Sequence, residues 1–363
     1  MKKLFCLFFF FAFFASCSTD DDAQKEPEPT PPVSEEGLPV RAVDISAFPE
    51  IDAAGTIFYN AKSQKEDFLD ILKQAGVNTL RLRLWVDPAR GHSGFEEVKN
   101  FSKNLKARGF DIWLSLHYSD AWADPGNQAR PESWQQLSFE ALKNQVYNYT
   151  FRVVEEIKPE YIQVGNEINS GFLFPEGNIS ENPDQFKELL QAGTSAVREA
   201  NPASQVIIHF AGLENADWFF GQVAGVDYDI IGLSYYPVWH GKNLDLLENT
   251  ANSLASKYQR KLVIAETAYP FSLGYNDWTN NIVGLEEQLV PGYPASAEGQ
   301  KAFLQEISDI METSDAGIGF SYWGGELVAW NGPESTAGSP WENQALFNFD
   351  HKALPVLQVF NQE

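Results

Sequence analysis

The sequence predicts one (β/α)₈ barrel, an α/β fold in which eight parallel strands alternate with helices in a single domain. Two observations carry this prediction. Eight short apolar segments recur from residue 40 onward, and a segment with helical character separates each from the next. Polar side chains follow most of the apolar segments, as they do at the mouth of a barrel. An open doubly wound sheet is the alternative, but no G-x-G-x-x-G turn follows the first strand, which counts against a dinucleotide site.

The strands are assigned from short runs rich in β-branched, aromatic and leucine residues. In chain order they are RAVDISAF (41–48), TLRLRLW (79–85), DIWLSLHY (111–118), YIQVGNE (161–167), QVIIHF (205–210), IIGLSYYP (230–237), KLVIAETAY (261–269) and GIGFSYWGG (317–325). Most combine an apolar body with a polar end, which is expected of strands that fill a barrel and then emerge at its rim.

The helices are assigned from the stretches between these strands and from their end signals. They are predicted near 65–76, 96–108, 138–157, 183–200, 216–224, 244–259 and 297–312. Gly76 and Gly109 end the first two, because glycine adopts the left-handed conformation that often follows a helix. The third stops before Pro159, which cannot continue a helix.

In a barrel the carboxyl ends of all strands meet at one face, where such enzymes place their functional groups. The residues that the sequence places at these ends are Arg83, Trp85, His117, Asp120, Asn166, Glu167, Tyr235, Glu266 and Trp323. This explains why the buried fourth strand, YIQVGNE, finishes on an amide and a carboxylate.

Glu167 and Glu266 end the fourth and seventh strands. Hydrolysis of a glycosidic bond needs two carboxyl groups: one protonates the leaving oxygen, and the other attacks or stabilises the anomeric carbon. Either residue alone is explained as readily by a structural ion pair with an arginine. Two of them at one barrel mouth favour catalysis.

Residues 1–17 are predicted to be a lipoprotein signal peptide. Two lysines precede an apolar run, and the run ends in a sequence that resembles a bacterial lipobox, in which Cys17 is lipidated. Cleavage by an ordinary signal peptidase is the alternative, and it would secrete the protein without an anchor. Cys6 would be removed with the signal, so the mature domain would hold no disulfide and no thiolate metal site.

Residues 18–39 are predicted to be an acidic, proline-rich linker, and residues 40–363 the catalytic domain. The acidic residues directly after Cys17 resemble the export signal of Bacteroidetes-type surface lipoproteins. We therefore expect an exported outer-membrane or cell-surface lipoprotein, with the periplasm-facing leaflet as the alternative.

The composition limits the partners. The 363 residues carry a formal net charge of −24, which repels phosphate backbones and argues against nucleic acid as a partner. Most of the 10 Trp and 13 Tyr are expected in the core, but tryptophans on loops also stack on sugar rings. No H-E-x-x-H or similar metal motif is present. We expect a monomer without a cofactor.

Five stretches give a more specific resemblance: GVNTLRLRLWVDP, LHYSDAWADPGNQARPESW, IQVGNEINSGFLFPEG, IGLSYYPVWHG and VIAETAYPF. Together they resemble clan A of the retaining glycoside hydrolases and, within it, glycoside hydrolase family 53, the arabinogalactan endo-β-1,4-galactanases. The most distinctive is HYSDAWADP. The resemblance spans nearly all of the chain after the linker.

The resemblance implies a role for each predicted site residue. Glu167 would be the acid/base and Glu266 the nucleophile, with Asn166 on the 2-hydroxyl of the sugar that is cleaved. Tyr235 would hold Glu266, and Arg83 would favour its ionised form. The residues implied at the substrate site are His117 and Asp120 on its lining, Trp323 as the floor under the sugar, and Trp85, Trp122 and Trp239 as stacking candidates; core packing is the alternative for these last three.

Two local departures from the family pattern matter. The stretch GGELVAW follows Trp323 where the family would place Glu-Pro, and it brings a third carboxylate, Glu326, to the rim. The loop SLGYNDWTNNIVG (272–284), where some bacterial members bind calcium, has Asp277 as its one carboxylate. Because calcium prefers several charged oxygen ligands, we expect no ion there.

Three functions are compatible with the sequence. The first is a retaining endo-β-1,4-galactanase that acts on galactan side chains of pectin. The second is an enzyme of the same clan on another β-linked glycan, such as mannan. The third is a surface glycan receptor without activity, which the presence of both Glu167 and Glu266 disfavours.

Overall fold

The computed structural model describes residues 37–362. Eight parallel strands close into a barrel in the order β1 to β8, with β8 paired to β1. The strands are Val40–Asp44 (β1), Thr79–Leu84 (β2), Asp111–Leu116 (β3), Tyr161–Val164 (β4), Gln205–Ala211 (β5), Ile230–Ser234 (β6), Lys261–Thr267 (β7) and Gly317–Tyr322 (β8). The predicted (β/α)₈ barrel is confirmed, and the closed order excludes the open sheet.

Helices surround the barrel. They are Phe48–Ala53 (α1), Phe68–Gln74 (α2), Phe95–Ala107 (α3), Phe139–Ile157 (α4), Pro183–Ala200 (α5), Ala216–Gln222 (α6), Pro237–His240 (α7), Leu244–Tyr258 (α8) and Ala297–Thr313 (α9). Short 3₁₀ helices occupy Glu132–Trp134, Glu286–Gln288, Glu342–Gln344 and Pro355–Phe360. None of the helices in residues 37–362 is long and apolar enough to cross a membrane.

The seven predicted helices are confirmed within a few residues, whereas several predicted strands are too long. The last residues assigned to the first and sixth strands, Phe48 and Pro237, begin α1 and α7 instead. Each of these two short helices has a proline in its first turn, at Pro49 and Pro237, where the fixed φ of proline suits a helix start. Most of the polar residues predicted at the strand ends lie beyond the last paired residues of the strands, at the rim of the barrel.

The barrel interior has two layers, which follow from the alternation of side chains along each strand. The lower layer is apolar and contains Val40, Ala42, Trp113, Tyr161, Ile207, Ile230, Val263, Ala265 and Ile318. The upper layer is polar and contains Asp44, Arg81, Ser115, Gln163, His209, Ser234 and Glu266, all nine-tenths or more buried. The alternate side chains pack outward against the helices in a second, larger apolar cluster. Leu38, at the end of the predicted linker, is also buried in that cluster.

A bulge in β7 directs Glu266 into the cavity. Val263 and Ala265 both face the barrel interior, so simple alternation would turn Glu266 outward. The pairing register shifts instead: Leu233 of β6 faces Ile264, but Ser234 faces Glu266. A similar shift occurs against β8. The extra residue re-aims the carboxylate, a common use of a bulge beside a functional site.

Candidate active site

A cavity of about 610 Å³ opens at the carboxyl ends of the strands. Its lining includes seven residues that the sequence predicts for the site: Arg83, Trp122, Asn166, Glu167, Trp239, Glu266 and Trp323. A second groove, of about 850 Å³, lies between residues 60–75 and 348–361. Its one carboxylate, Glu66, accepts hydrogen bonds from Asn60 and Gln74, so this groove lacks a pair of carboxyl groups.

Glu266 is buried and held on both oxygens. The Arg81 guanidinium lies 2.7 Å from Oε1, and the Tyr236 hydroxyl donates to Oε2 at 2.9 Å. Burial raises the pKa of Glu266, while the Arg81 charge and the hydrogen bonds from Tyr236 and Arg81 act in the opposite direction. These contacts stabilise the charged form of Glu266 and fix its orientation.

Arg81 organises the polar layer beneath the cavity. It is 1% exposed, pairs with Asp44 at 2.7 Å, and donates to Gln163 and to Asn166 at 3.1 and 3.0 Å. A buried arginine needs such partners because an unpaired charge in the interior is strongly destabilising. The charge that faces Glu266 is therefore locked in place before substrate binds.

Glu167 stands just beyond β4 in a left-handed conformation, with φ of +46°. Gly165 precedes it at φ +83°, where an added Cβ would lie 2.6 Å from the Ile168 side chain. This tight turn lifts Glu167 out of the strand. Its Oε1 accepts a 2.6 Å hydrogen bond from the Ser234 hydroxyl.

His209 sets the direction of the hydrogen bonds behind Glu167. Its Nδ1 accepts from the Gln163 amide and from the backbone N–H of Glu167, so the proton lies on Nε2. Nε2 then donates to Ser234 Oγ at 2.8 Å, which leaves the serine hydroxyl free to donate to Glu167. Burial, and next the charge of Arg81, hold the pKa of His209 well below its ordinary value, so the imidazole stays neutral.

The environments of the two carboxyl groups differ, so that one group favours its protonated form and the other its charged form. Burial, and next the charge of Glu266, raise the pKa of Glu167 to about 8, while the Ser234 hydroxyl and the Arg81 charge lower it only in part. Glu266 has the closer cation and a second donor. Near neutral pH this arrangement keeps a proton on Glu167 and a negative charge on Glu266, the pattern of an acid and a nucleophile.

The distance between the two groups is short. One carboxylate oxygen of Glu167 lies within 4.8 Å of one of Glu266. Retaining glycosidases hold their carboxyl groups about 5–5.5 Å apart, whereas inverting enzymes leave about 6.5–9.5 Å for a water molecule. The spacing fits a retaining mechanism.

Asn166 also lines the cavity. Its Oδ1 accepts from Arg81 and from Gln163, and its Nδ2 donates to the Ala123 carbonyl at 2.8 Å. These bonds fix the amide orientation. Nδ2 has a second hydrogen, which remains available for a substrate hydroxyl.

Tryptophans form a continuous wall of the cavity. The ring centroid of Trp323 lies 6.1 Å from that of Trp122 and 4.4 Å from that of Trp341, and Trp341 lies 5.9 Å from Trp239. Trp122 and Trp239 are 42% and 55% exposed, so both present apolar surface to a ligand. Such faces suit the apolar faces of sugar rings.

Two predicted partners of Glu266 are wrong, because residues one or two positions earlier or later in the sequence take their roles. Tyr235 does not hold Glu266, because its hydroxyl donates to the Gly241 carbonyl; the neighbouring Tyr236 makes the contact. Arg83 does not pair with Glu266 either, and Arg81 does. The Arg83 guanidinium lies 4.6 Å from the Trp85 ring and 4.4 Å from the Trp122 ring, where it supports the tryptophan wall.

His117, Asp120 and Trp85 also lie behind the cavity and not on its lining. His117 is buried and accepts from the Trp85 indole and the Ala123 backbone N–H. Asp120 accepts from the backbone N–H groups of residues 87 and 132. The predicted substrate contacts of these residues are therefore corrected: they hold the loops that carry Trp122.

Glu167, His209 and Glu266 are the one group of His, Cys, Asp and Glu residues in the described chain with the geometry to hold a metal ion. Both nitrogens of His209 are already hydrogen-bonded, and Glu266 already faces Arg81. This donor set does not fit a cation. In the loop at 272–284, Asp277 and the nearby Glu342 are buried, and each has one oxygen without a partner in residues 37–362. That no calcium binds there stays a prediction.

Several site residues escaped the sequence analysis. Arg81 and His209 lie inside β2 and β5, and Ser234 is the last residue of β6, whereas the prediction used residues at the ends of longer predicted strands. For Arg81 the signal was nevertheless present, because it lies two residues before Arg83, on the same face of β2. Trp330 and Trp341 come from the long loop after β8, whose path no periodicity reveals.

Comparisons with known proteins agree with this geometry. The model of the family described as glycosyl hydrolase family 53 matches residues 40–360. An endo-beta-1,4-galactanase of Bacillus subtilis is 32% identical to this chain, over 88% of the chain and 85% of that protein. Arabinogalactan endo-beta-1,4-galactanase A of Aspergillus niger is also 32% identical, over 81% of the chain and 87% of that protein.

A solved structure gives the same result. The GH53 catalytic domain of Ignisphaera aggregans superposes with a TM-score of 0.84 at 36% identity. The match covers 92% of this chain and 98% of that domain. The similarity extends over the whole barrel, including the strands that carry both glutamates.

Proposed function

The chain belongs to glycosyl hydrolase family 53, and on that premise we propose that it is a retaining endo-β-1,4-galactanase. One observation carries the proposal: the buried Glu266 and the partly buried Glu167, with carboxyl oxygens within 4.8 Å of each other, lie in a cavity lined by tryptophans. The relatives described above that bear the name galactanase support galactan as the substrate.

In the first step Glu266 attacks the anomeric carbon of the sugar bound over Trp323. Glu167 gives its proton to the glycosidic oxygen as the bond between that oxygen and the anomeric carbon breaks. The products are a shortened chain with a free hydroxyl and a glycosyl ester on Glu266. Forming the ester removes the negative charge of Glu266, which is one reason for the high pKa of Glu167.

In the second step Glu167, now ionised, takes a proton from water. The resulting hydroxide attacks the anomeric carbon, and the ester bond to Glu266 breaks. Glu167 is again protonated and Glu266 again charged. Two displacements at the same carbon return the β configuration.

Asn166 and Trp323 bind the sugar during both steps. Asn166 lines the cavity, and the second hydrogen of its Nδ2 donates to the 2-hydroxyl, a contact that strengthens as charge develops at the anomeric carbon. Trp323 packs under the ring. Trp122 and Trp239 extend the stacking surface to neighbouring sugars, which suits attack within a chain.

The substrate is proposed to be the linear or arabinose-bearing β-1,4-galactan of pectin side chains, together with the oligosaccharides derived from it. The test is digestion of β-1,4-galactan, arabinogalactan and β-mannan by purified residues 38–363, followed by chromatography. A ladder of short galacto-oligosaccharides is expected from galactan. Cleavage of mannan alone would refute the assignment of galactan as the substrate. Binding of galactan without cleavage would refute the assignment as an enzyme.

Two variants and a control accompany the digestion. Glu167→Ala and Glu266→Ala are expected to lower activity by at least about 10³-fold, because each removes one of the two groups that the chemistry requires. Glu66→Ala removes a carboxylate in the distant groove and is expected to leave the product ladder unchanged. Loss of activity in this control would show that the effect is not specific to the cavity.

We further propose that Cys17 carries the lipid anchor and that the linker, from residue 18 to residue 37, tethers the barrel at the outer membrane or cell surface. Residues 1–36 lie outside the described part of the chain, so the support for this proposal is the lipobox-like sequence. Metabolic labelling with a palmitate analogue is expected to mark the wild type and not Cys17→Ser. Protease added to intact cells is expected to remove the domain; full protection would refute a surface location.

A further inference from the structure

A further buried carboxyl group, Glu326, lines the catalytic cavity, and neither chemical step uses it. It lies in the loop after β8, three residues beyond Trp323, in the stretch that departs from the family pattern. It is 1% exposed. Burial of an ionisable group without partners costs free energy, and such groups are found preferentially at functional sites.

Within residues 37–362, the Glu326 carboxyl group has one hydrogen-bond partner outside its own residue. Its Oε1 accepts a 2.8 Å hydrogen bond from the backbone N–H of Ala47. Its Oε2 is buried and has no hydrogen-bond partner in residues 37–362. Anchoring Ala47 needs only one acceptor oxygen. The second oxygen therefore remains without a partner, in a residue that lines the cavity.

The surroundings of Glu326 determine which kind of hydrogen bond it offers. Burial, and then the charge of Asp44, raise its pKa to about 8, while its backbone hydrogen bonds and the charge of Arg83 lower it in part. Apart from the two catalytic glutamates, the further charged residues of the cavity lining are Glu50, Arg90 and Asp124. At neutral pH Glu326 is thus a neutral acid that accepts from Ala47 and carries a proton to donate.

We propose that Glu326 is a specificity-determining residue that donates a hydrogen bond to a hydroxyl of the sugar bound beside Trp323. The ligand class is a neutral hexose with a hydroxyl oxygen turned toward the loop after β8. This inference rests on the proposed galactanase function. A site built to pair with a hydroxyl discriminates strongly against a sugar that lacks it in that position, because the buried donor is then left unpaired.

The test compares four proteins: wild type, Glu326→Ala, Glu326→Gln and the control Glu342→Gln. Glu342 is a matched residue, since it is equally buried, lies in the same loop and has one unpartnered oxygen, but does not line the cavity. KM and kcat are measured on galactotetraose from pH 6 to 9.5. Melting temperatures identify any variant that fails to fold.

Glu326→Ala is expected to raise KM about tenfold at pH 7 and to change kcat by less than about threefold, because a binding contact is lost and the reacting groups are untouched. The wild-type KM is expected to rise above pH 8, as Glu326 loses the proton that it donates. Glu326→Gln keeps an acceptor and a donor that cannot ionise, so its KM stays near the wild-type value at pH 7 and stays flat above pH 8. Glu342→Gln behaves as the wild type.

Glu167 also titrates near pH 8, but its deprotonation removes the catalytic proton in wild type and Glu326→Gln alike. The difference between these two profiles isolates Glu326. An unchanged KM in Glu326→Ala, or a KM for Glu326→Gln that rises above pH 8 as in the wild type, would overturn the inference. If Glu326→Ala does not fold, the profile of Glu326→Gln decides. A wild type that does not cleave galactan would instead refute the proposed function and, with it, this inference.

Discussion

Replacement of Tyr236 by Phe tests which tyrosine controls the nucleophile. The Tyr236 hydroxyl donates to Glu266 Oε2 at 2.9 Å, and this bond stabilises the charged carboxylate. Burial raises the pKa of Tyr236 well above its ordinary value, so the tyrosine remains a donor over the whole working range. Its removal therefore raises the pKa of Glu266.

The magnitude follows from the contacts. A hydrogen bond to a charged group contributes about 1.5–3 kcal/mol, and one pKa unit corresponds to about 1.4 kcal/mol. Because Arg81 stays 2.7 Å from the other oxygen, we expect the lower end of this range, about one unit. Glu266 must be ionised to attack, so the acidic limb of kcat/KM moves to higher pH by about one unit.

The assay is kcat/KM for galactotetraose from pH 3.5 to 10. Tyr235→Phe is the matched control, since the Tyr235 hydroxyl donates to the Gly241 carbonyl and has no contact with Glu266. Its acidic limb should coincide with that of the wild type. An unmoved limb in Tyr236→Phe, or a shifted limb in Tyr235→Phe, would refute the assignment.

Three further changes test the rest of the site. Ser234→Ala removes the hydroxyl that lowers the pKa of Glu167, so the basic limb of kcat/KM should move to higher pH, and a shift to lower pH would contradict the hydrogen-bond direction. Arg81→Met leaves Asp44 and Glu266 buried without their cation, so the free energy of unfolding, from urea denaturation, should fall by about 3–5 kcal/mol and activity should be lost; a stable, active variant would show that the pair is dispensable. EDTA should leave the melting temperature unchanged, because the loop at 272–284 offers Asp277 as its one carboxylate. Burial raises the pKa of nearby Glu342, which disfavours the charged form that a cation would need. A rise of several degrees in the melting temperature on adding calcium would contradict this.

The fold and the positions of both glutamates were predictable because they depend on periodicity. Apolar strands, helical spacers and their glycine and proline stops are local signals, and a parallel barrel brings every strand end to one face. This rule brings Glu167 and Glu266 to the barrel mouth, but the bulge in β7 and the left-handed turn at residues 165–167 direct their side chains. Their proximity and the cavity around them agree with it, whereas their individual roles stay proposals that experiments must test.

The contacts around the glutamates depend on backbone detail that the sequence does not show. TLRLRL places Arg81 and Arg83 on the same face of one strand, and only the depth of each in the barrel decides which reaches Glu266. The choice between Tyr235 and Tyr236 depends on the chain beyond the end of β6, where local alternation no longer guides prediction. The tryptophans of the β8 loop depend on a loop path set by long-range packing.

The central claim is that Glu266 forms a covalent bond to galactose while Glu167 supplies the proton. The most direct test is incubation with a 2-deoxy-2-fluoro-β-galactoside that has a good leaving group, because the fluorine slows hydrolysis of the glycosyl ester. Mass spectrometry of the intact protein and of its peptides then locates the bound sugar. One fluorosugar on Glu266 is the predicted result. A label on Glu167 or Glu326, or turnover without any covalent adduct, would contradict the account.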